Sequence, residues 1–230
     1  MRRANHASRL TTITPNKLPS PHSGYLPATL SLCILPNTFD TLIDSFIKDK
    51  VGIAEDFLSP ALAAHLKENL LTLFAQKLLQ NAGTGNDLLI AHNKQVRSDM
   101  TYWLDRKHND EHENDFFDLM DKFVSYLNTT CYTGITGYEF HYALYPIGSF
   151  YKKHFDQFKN NTGRQFSMIM YLNVDWQPVD GGELSIHQNG IQQNISPQNG
   201  KSVFFKSSEL EHEVLPTTKA RMSITGWLTS

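Results

Sequence analysis

Cysteine is nearly absent: Cys33 and Cys131 are the only two, and neither stands in a paired motif. That excludes a disulfide scaffold and fits a reducing, cytoplasmic setting. An excess of either charge is lacking too. The formal net charge of −2 offers no basic field for nucleic acid or for an anionic membrane surface. No apolar run reaches the length of a membrane span. The nearest is "YLPATLSLCIL", residues 25–35, which follows Arg2, Arg3, Arg9 and Lys17. It starts too late for a signal peptide, contains Pro27 and has no small-x-small cleavage site after it. Residues 1–35, rich in Ser, Thr, Pro and Asn, read instead as a disordered leader, and a start codon assigned too far upstream would look the same. Internal repeats are also missing.

What remains is enough for one domain, residues 36–230, with a core that needs no staples. Its first part, 36–135, carries three amphipathic patterns. Asn37 or Thr38 can cap a helix bearing Phe39, Leu42, Ile43, Phe46 and Ile47. "SPALAAHLKENLLTLFAQKLL" opens on Ser59 and Pro60, lines up Leu62, Leu66, Leu70, Phe74 and Leu78, and ends at Gly83 and Gly85. A third helix, from about Asn114 to Asn128, turns Phe116, Met120, Phe123 and Leu127 inward. Between the last two lie an expected strand, "LLIAH", and the polar run 105–115, which reads as a solvated loop.

After residue 136 the texture changes to short strands: "YEFHYALY", "FSMIMYLNV", "GELSIH", "GIQQNI", "KSVFFK" and "MSITGWL". Turn signals such as "YPIGS", "PVDGG" and "SPQNG" separate them. The expected fold is mainly β with N-terminal helices: an antiparallel sandwich or barrel with helices braced on one face.

The stretch "FYKKHFDQF", residues 150–158, puts His154 and Asp156 two apart in a segment that reads as a strand. Side chains two apart on a strand share a side, so an imidazole and a carboxylate address one spot. Most isolated His-x-Asp pairs are solvated, so a metal site here needs a third ligand. His212, in "ELEHEVLPTTKARMSITGWL", is the candidate. Two histidines and one carboxylate on one face of an octahedron leave three positions open. That suits Fe(II) with a bidentate co-substrate and O2, whereas zinc more often takes a tetrahedral site.

Arg221 begins the strand "RMSITGWL". Period two sets Arg221, Ser223, Thr225 and Trp227 against Met222, Ile224 and Leu228. If the first set faces the barrel interior, the guanidinium needs a partner, and an incoming carboxylate supplies a two-pronged one. Open metal positions beside such an arginine describe a 2-oxoglutarate site. A cupin-type metal enzyme on the same fold would not need Arg221, and a binding-only relative would not need the ligands.

The stretch from about residue 137 to the end resembles the 2-oxoglutarate and Fe(II)-dependent oxygenases, and within them the prolyl hydroxylases, particularly the hypoxia-sensing enzymes and their bacterial relatives. The likeness rests on "YALYPIGSFYKKHFD", "IMYLNVDWQPVDGGEL" and "HEVLPTTKARMSITGWL", with "VRSDMTYWL" upstream. It implies a double-stranded β-helix, or jelly roll, with 136–230 as catalytic core and 36–135 as helical support. It implies His154, Asp156 and His212 as iron ligands and Arg221 as the anchor of the distal carboxylate of 2-oxoglutarate. Tyr171 would share that carboxylate, Tyr145 would stand near the metal-bound end, and Thr225 would line the same pocket. It further implies O2 as co-substrate and a protein prolyl residue as target, with a free amino acid or small metabolite as the alternative. Whether ascorbate is needed is left open. His141 reads as an ordinary strand histidine, His187 as solvent-facing, and Glu209, Glu211 and Glu213 as a wet rim.

Overall fold

The computed structural model describes residues 35–83, 95–157 and 162–230. In chain order its elements are α1 (Leu35–Asp49), β1 (Val51–Ala54), α2 (Pro60–Ala75), β2 (Gln80–Asn81), β3 (Met100–Trp103), α3 (Glu111–Cys131), β4 (Gly137–Tyr145), β5 (Tyr151–His154), β6 (Arg164–Tyr171), β7 (Leu184–Gln188), β8 (Ile191–Ile195), β9 (Ser202–Lys206), β10 (Glu211–Val214) and β11 (Arg221–Thr229). The strands form a seven-stranded sheet, β1-β9-β6-β11-β4-β3-β2, and a four-stranded sheet, β5-β10-β7-β8. All ladders are antiparallel. This is the expected double-stranded β-helix. Among the described residues, no helix is long and apolar enough to cross a membrane.

Strand alternation divides the large sheet into two faces. Phe140, Tyr142 and Leu144 of β4, and Met222, Ile224 and Leu228 of β11, pack with the helices. Ala143, Tyr145, Ile169 and Tyr171 point between the sheets toward Leu184, Ile186 and Val214. Three helices therefore brace the outer face, with Leu42, Leu66, Leu70, Phe116, Met120 and Phe123 fully buried. Each such side chain contributes roughly 1.5–3 kcal/mol.

The helices depart from the sequence reading in three places. α1 begins at Leu35, so Asn37 and Thr38 lie inside it rather than at its cap. α2 starts as expected, with the Ser59 hydroxyl accepting the Leu62 amide, but it ends at Ala75 rather than near Gly83. Its buried stripe is Ala63, Leu66 and Leu70, while Phe74 and Leu78 are exposed. A stride of four residues advances about 40° past a full turn each time, so five leucine-spaced positions sweep round the helix and cannot share a face. The polar run 105–115 is not a solvated loop. Asp110 caps α3 by accepting the His112 and Glu113 amides, and Glu113 is buried against His108, with Nδ1 to Oε2 at 2.9 Å. The expected "LLIAH" strand and the leader's first 34 residues lie outside the described residues.

Candidate active site

β5 and β10 are neighbours in the small sheet, and their register sets His154 directly opposite His212. The two rings come within 4.3 Å, centroid to centroid. Each imidazole is fixed by its own strand. His154 Nδ1 lies 2.7 Å from the Lys152 carbonyl, and His212 Nδ1 lies 3.1 Å from the Leu210 carbonyl. A carbonyl only accepts, so each Nδ1 carries the proton and each Nε2 offers its lone pair.

Asp156 comes between them, though not by the route expected. β5 ends at His154, and the chain then bends, with Phe155 half-exposed and the Asp156 carboxylate facing both imidazoles. Its Oδ1 stands 3.4 Å from His154 Nε2 and its Oδ2 stands 3.6 Å from His212 Nε2. Among the described residues these three are the one cluster of potential ligand atoms that lies within 4.8 Å of one another. The gaps are too long for good hydrogen bonds, and both Nε2 atoms and the carboxylate would be the groups to hold one ion among them. Burial pushes the Asp156 carboxyl up, but His212 and His154 outweigh it and hold it well below the usual carboxylate range. Burial also lowers His212 to about 4, against the opposing pull of Asp156, so its ring is neutral and able to ligate.

His154 is the more exposed of the two imidazoles, and a side-chain relay braces it. Its ring stacks on Tyr151 at 3.6 Å, and the Arg97 guanidinium lies 4.2 Å from the Tyr151 centroid. Arg97 in turn grips the buried Asp99 with both prongs, at 2.8 and 2.6 Å. Burial works against the Arg97 cation, but the hydrogen bonds and charge of Asp99 raise its pKa well above the ordinary value.

A cavity of about 440 Å³ opens from this cluster between the sheets. Across its wall run rows set by register: Arg221 beside Tyr145, then Ser223 beside Ala143, then Thr225 beside His141, then Trp227 beside Glu139. At the first row Arg221 is 1% exposed. Its Nε donates to the Gly182 carbonyl at 2.9 Å, and its guanidinium lies 4.8 Å from the Tyr145 ring and 5.0 Å from the Tyr171 ring. Arg221 Nη2 and the Tyr171 hydroxyl are both buried without a partner. A buried cationic N–H left unpaired costs several kcal/mol, so this end of the cavity fits an anionic group such as a carboxylate. Gly182 is required where it stands. Its φ is +67°, and a Cβ there would meet Thr217 and Arg221 at 3.1 and 3.2 Å.

Every site residue expected from sequence is thus gathered at one cavity or its wall: His154, Asp156, His212, Arg221, Tyr145 and Thr225 line it, and Tyr171 stands behind Arg221. Thr225 Oγ1 is 3.2 Å from Ser223 Oγ. His141, read as an ordinary strand histidine, also lines the cavity and is 4% exposed. Arg97, Trp103, Tyr151, Arg164 and Trp227 also line the cavity, and Arg97 and Trp103 come from "VRSDMTYWL". His187 is not simply solvent-facing, since its Nε2 meets Glu213 Oε1 at 2.9 Å.

A family model described as the 2OG-Fe(II) oxygenase superfamily matches residues 140–229. Among solved structures, a prolyl-4-hydroxylase of Pseudomonas putida is 30% identical, covers 83% of this chain and 98% of that one, and superposes with a TM-score of 0.75. A prolyl hydroxylase of Trichoplax adhaerens, solved with a peptide fragment of the hypoxia-inducible factor oxygen degradation domain, is 23% identical at a TM-score of 0.74, with 89% and 94% coverage. Egl nine homolog 1 of Rattus norvegicus is 27% identical over 226 residues, which is 90% of this chain and 64% of that protein. The mouse counterpart is covered to 54%, so the chain spans about half to two thirds of the length of these curated relatives.

Proposed function

The chain belongs to the 2OG-Fe(II) oxygenase superfamily, and from that premise we propose that it is an Fe(II)- and 2-oxoglutarate-dependent dioxygenase that hydroxylates a prolyl residue of a protein. His154, Asp156 and His212 hold the metal, and Arg221 with Tyr171 receives the distal carboxylate of 2-oxoglutarate. The observation that carries the reading is the pairing, at one cavity, of a two-histidine, one-carboxylate cluster with a buried arginine whose Nη2 has no hydrogen-bond acceptor. Fe(II) with 2-oxoglutarate and O2 supplies the oxidising chemistry when bound. The protein's own residues supply the rest. The Lys152 and Leu210 carbonyls keep both Nε2 lone pairs directed inward. Tyr145 and Tyr171, on the two strands that flank β11, pack their rings against the guanidinium. Ile169, Leu184 and Val214 line the same cavity and limit water there. The prolyl target is carried over from the relatives, whose names include prolyl hydroxylases of bacterial and animal origin.

The test is succinate formation from 2-oxoglutarate by the purified protein with Fe(II) and O2. The proposal predicts turnover that His154→Ala removes. Full turnover by that variant would refute the ligand assignment, and no turnover by the parent protein under any metal loading would refute the reaction class.

A further inference from the structure

An edge strand is a template for pairing with another chain unless something blunts it. Three of the four sheet edges here are blunted. At β1 the Ser45 hydroxyl of α1 donates to the Val51 carbonyl at 3.1 Å and accepts the Ile53 amide at 3.0 Å. At β5 the Lys152 amide donates to the Val96 carbonyl, and the Ser98 amide donates to the Phe150 carbonyl. β2 is only two residues long. β8 is the fourth edge, and among the described residues no strand flanks its outer side. It carries no charge, no proline and no bulge, and its first four residues are exposed.

Register decides what this edge offers. Asn189 and Gly190, both at positive φ, make a two-residue hairpin that closes on the pair Gln188 and Ile191. In an antiparallel ladder, alternate residues exchange both backbone bonds with one neighbour. Counted from the closing pair, Ile191, Gln193 and Ile195 bond to β7, while Gln192 and Asn194 turn their N–H and C=O groups to the open side. Ile191 and Gln193 lie over a groove of about 420 Å³ that Val51, Ile53 and Ile186 also line, and Ile191 is 71% exposed there. Gln192 and Asn194 share the opposite face, with Gln192 Nε2 donating to Asn194 Oδ1 at 3.2 Å.

The strand "IQQNI" is complementary to itself. About a two-fold axis through Gln193, Gln192 stands opposite Asn194 of the partner subunit, where both backbone bonds can be exchanged. Ile191 then stands opposite Ile195 of the partner subunit in a non-bonded pair, the kind that brings side chains closest, and its exposed surface is covered. Charge selects the occupant. Two-fold pairing sets Gln193 against its own copy, which a charged side chain would resist, and this strand holds only amides and isoleucines. An acidic or basic segment would find no counter-charge on it. We propose that β8 is a homodimer interface, through which two copies of this chain join their four-stranded sheets into one continuous antiparallel sheet.

The experiment is analytical ultracentrifugation of the full chain from about 1 to 100 µM, with amide hydrogen exchange read at both ends of that range. The proposal predicts monomer mass at the low end, dimer mass at the high end, and protection of the Gln192 and Asn194 amides that rises with concentration. Gln193→Lys, at an exposed position, should weaken dimerisation by about 10-fold or more by setting like charges face to face. Asn194→Pro removes an N–H that bonds nothing on the open side of one copy, and should weaken it too. Gln193→Cys should form an intermolecular disulfide on mild oxidation, since residues facing each other in a non-bonded pair lie about 4.5 Å apart at Cα. Gln192→Cys should link no more than the parent, whose Cys131 is exposed. A monomer throughout the range would overturn the proposal. So would a dimer that neither Gln193→Lys nor Asn194→Pro weakens, or one in which position 192 links as readily as position 193. Amide protection equal at every concentration would seat another segment of this chain on β8 and would overturn it as well.

Discussion

The two faces of the large sheet follow different rules. On the helix side Met222, Ile224 and Leu228 of β11 join Phe116, Phe123 and Phe204 in one apolar cluster. On the cavity side the same strand presents Arg221, Ser223, Thr225 and Trp227. Six buried side-chain polar atoms among the described residues lack a partner, and four of them belong to the cavity face: His141 Nδ1, Tyr171 Oη, Arg221 Nη2 and Trp227 Nε1. The remaining two, Tyr142 Oη and Ser202 Oγ, lie on the helix face, so the cavity face holds most of what folding leaves unpaired. Substitutions on the helix face should therefore change stability with little effect on chemistry, and substitutions on the cavity face should do the reverse.

The largest effect expected is on the cavity side. Asp156→Ala leaves two imidazoles and no anionic ligand, so succinate formation should fall to background while the metal-free protein melts as cooperatively as before. A lost melting transition would place Asp156 among the folding residues instead. Next comes the helix side. Phe123 is fully buried and meets Phe39, Phe57 and Phe204 with ring centroids between 5.0 and 5.7 Å. Phe123→Ala should cost about 3–5 kcal/mol in denaturant unfolding, with the KM for 2-oxoglutarate unchanged at a temperature where the variant stays folded. Arg221→Met should raise that KM about 100-fold, the loss of two charge-assisted hydrogen bonds.

The smallest effect is on pH dependence. His141 falls to about 3 in the folded chain, against 6.5 for an ordinary histidine, with burial as the leading cause. Between those values the unfolded chain binds the extra proton, so stability is complete above pH 6.5 and is lost as pH falls toward 3. By pH 5 the loss is about 2 kcal/mol, and in His141→Leu the urea midpoint should be flatter over that range. An equal slope in both proteins would remove His141 from the account.

Much of this division was legible in the sequence. The alternation in "RMSITGWL" assigns both faces of β11, and His154, Asp156, His212 and Arg221 stand out because their chemistry needs one another across long separations. What could not be read is whatever register creates. His141 stands in the cavity wall through its pairing with Thr225 and Trp103, and nothing in "YEFHYALY" says which strands flank it. Arg97 reaches His154 through Tyr151, and Arg221 Nε donates to the Gly182 carbonyl, far back along the chain. Asp156 lies beyond the end of β5, in a bend, so period-two alternation alone does not account for its place beside both imidazoles. Glu113 looked solvated because its neighbours are charged, but the helix it helps to start carries it under His108.

The most direct test of the account is calorimetric titration of 2-oxoglutarate into the protein under anaerobic conditions, with and without Fe(II). The account predicts that tight binding requires the metal, that His154→Ala abolishes the metal's contribution, and that Arg221→Met weakens binding about 100-fold with the metal present. Equal affinity with and without Fe(II), or an affinity untouched by Arg221→Met, would contradict it.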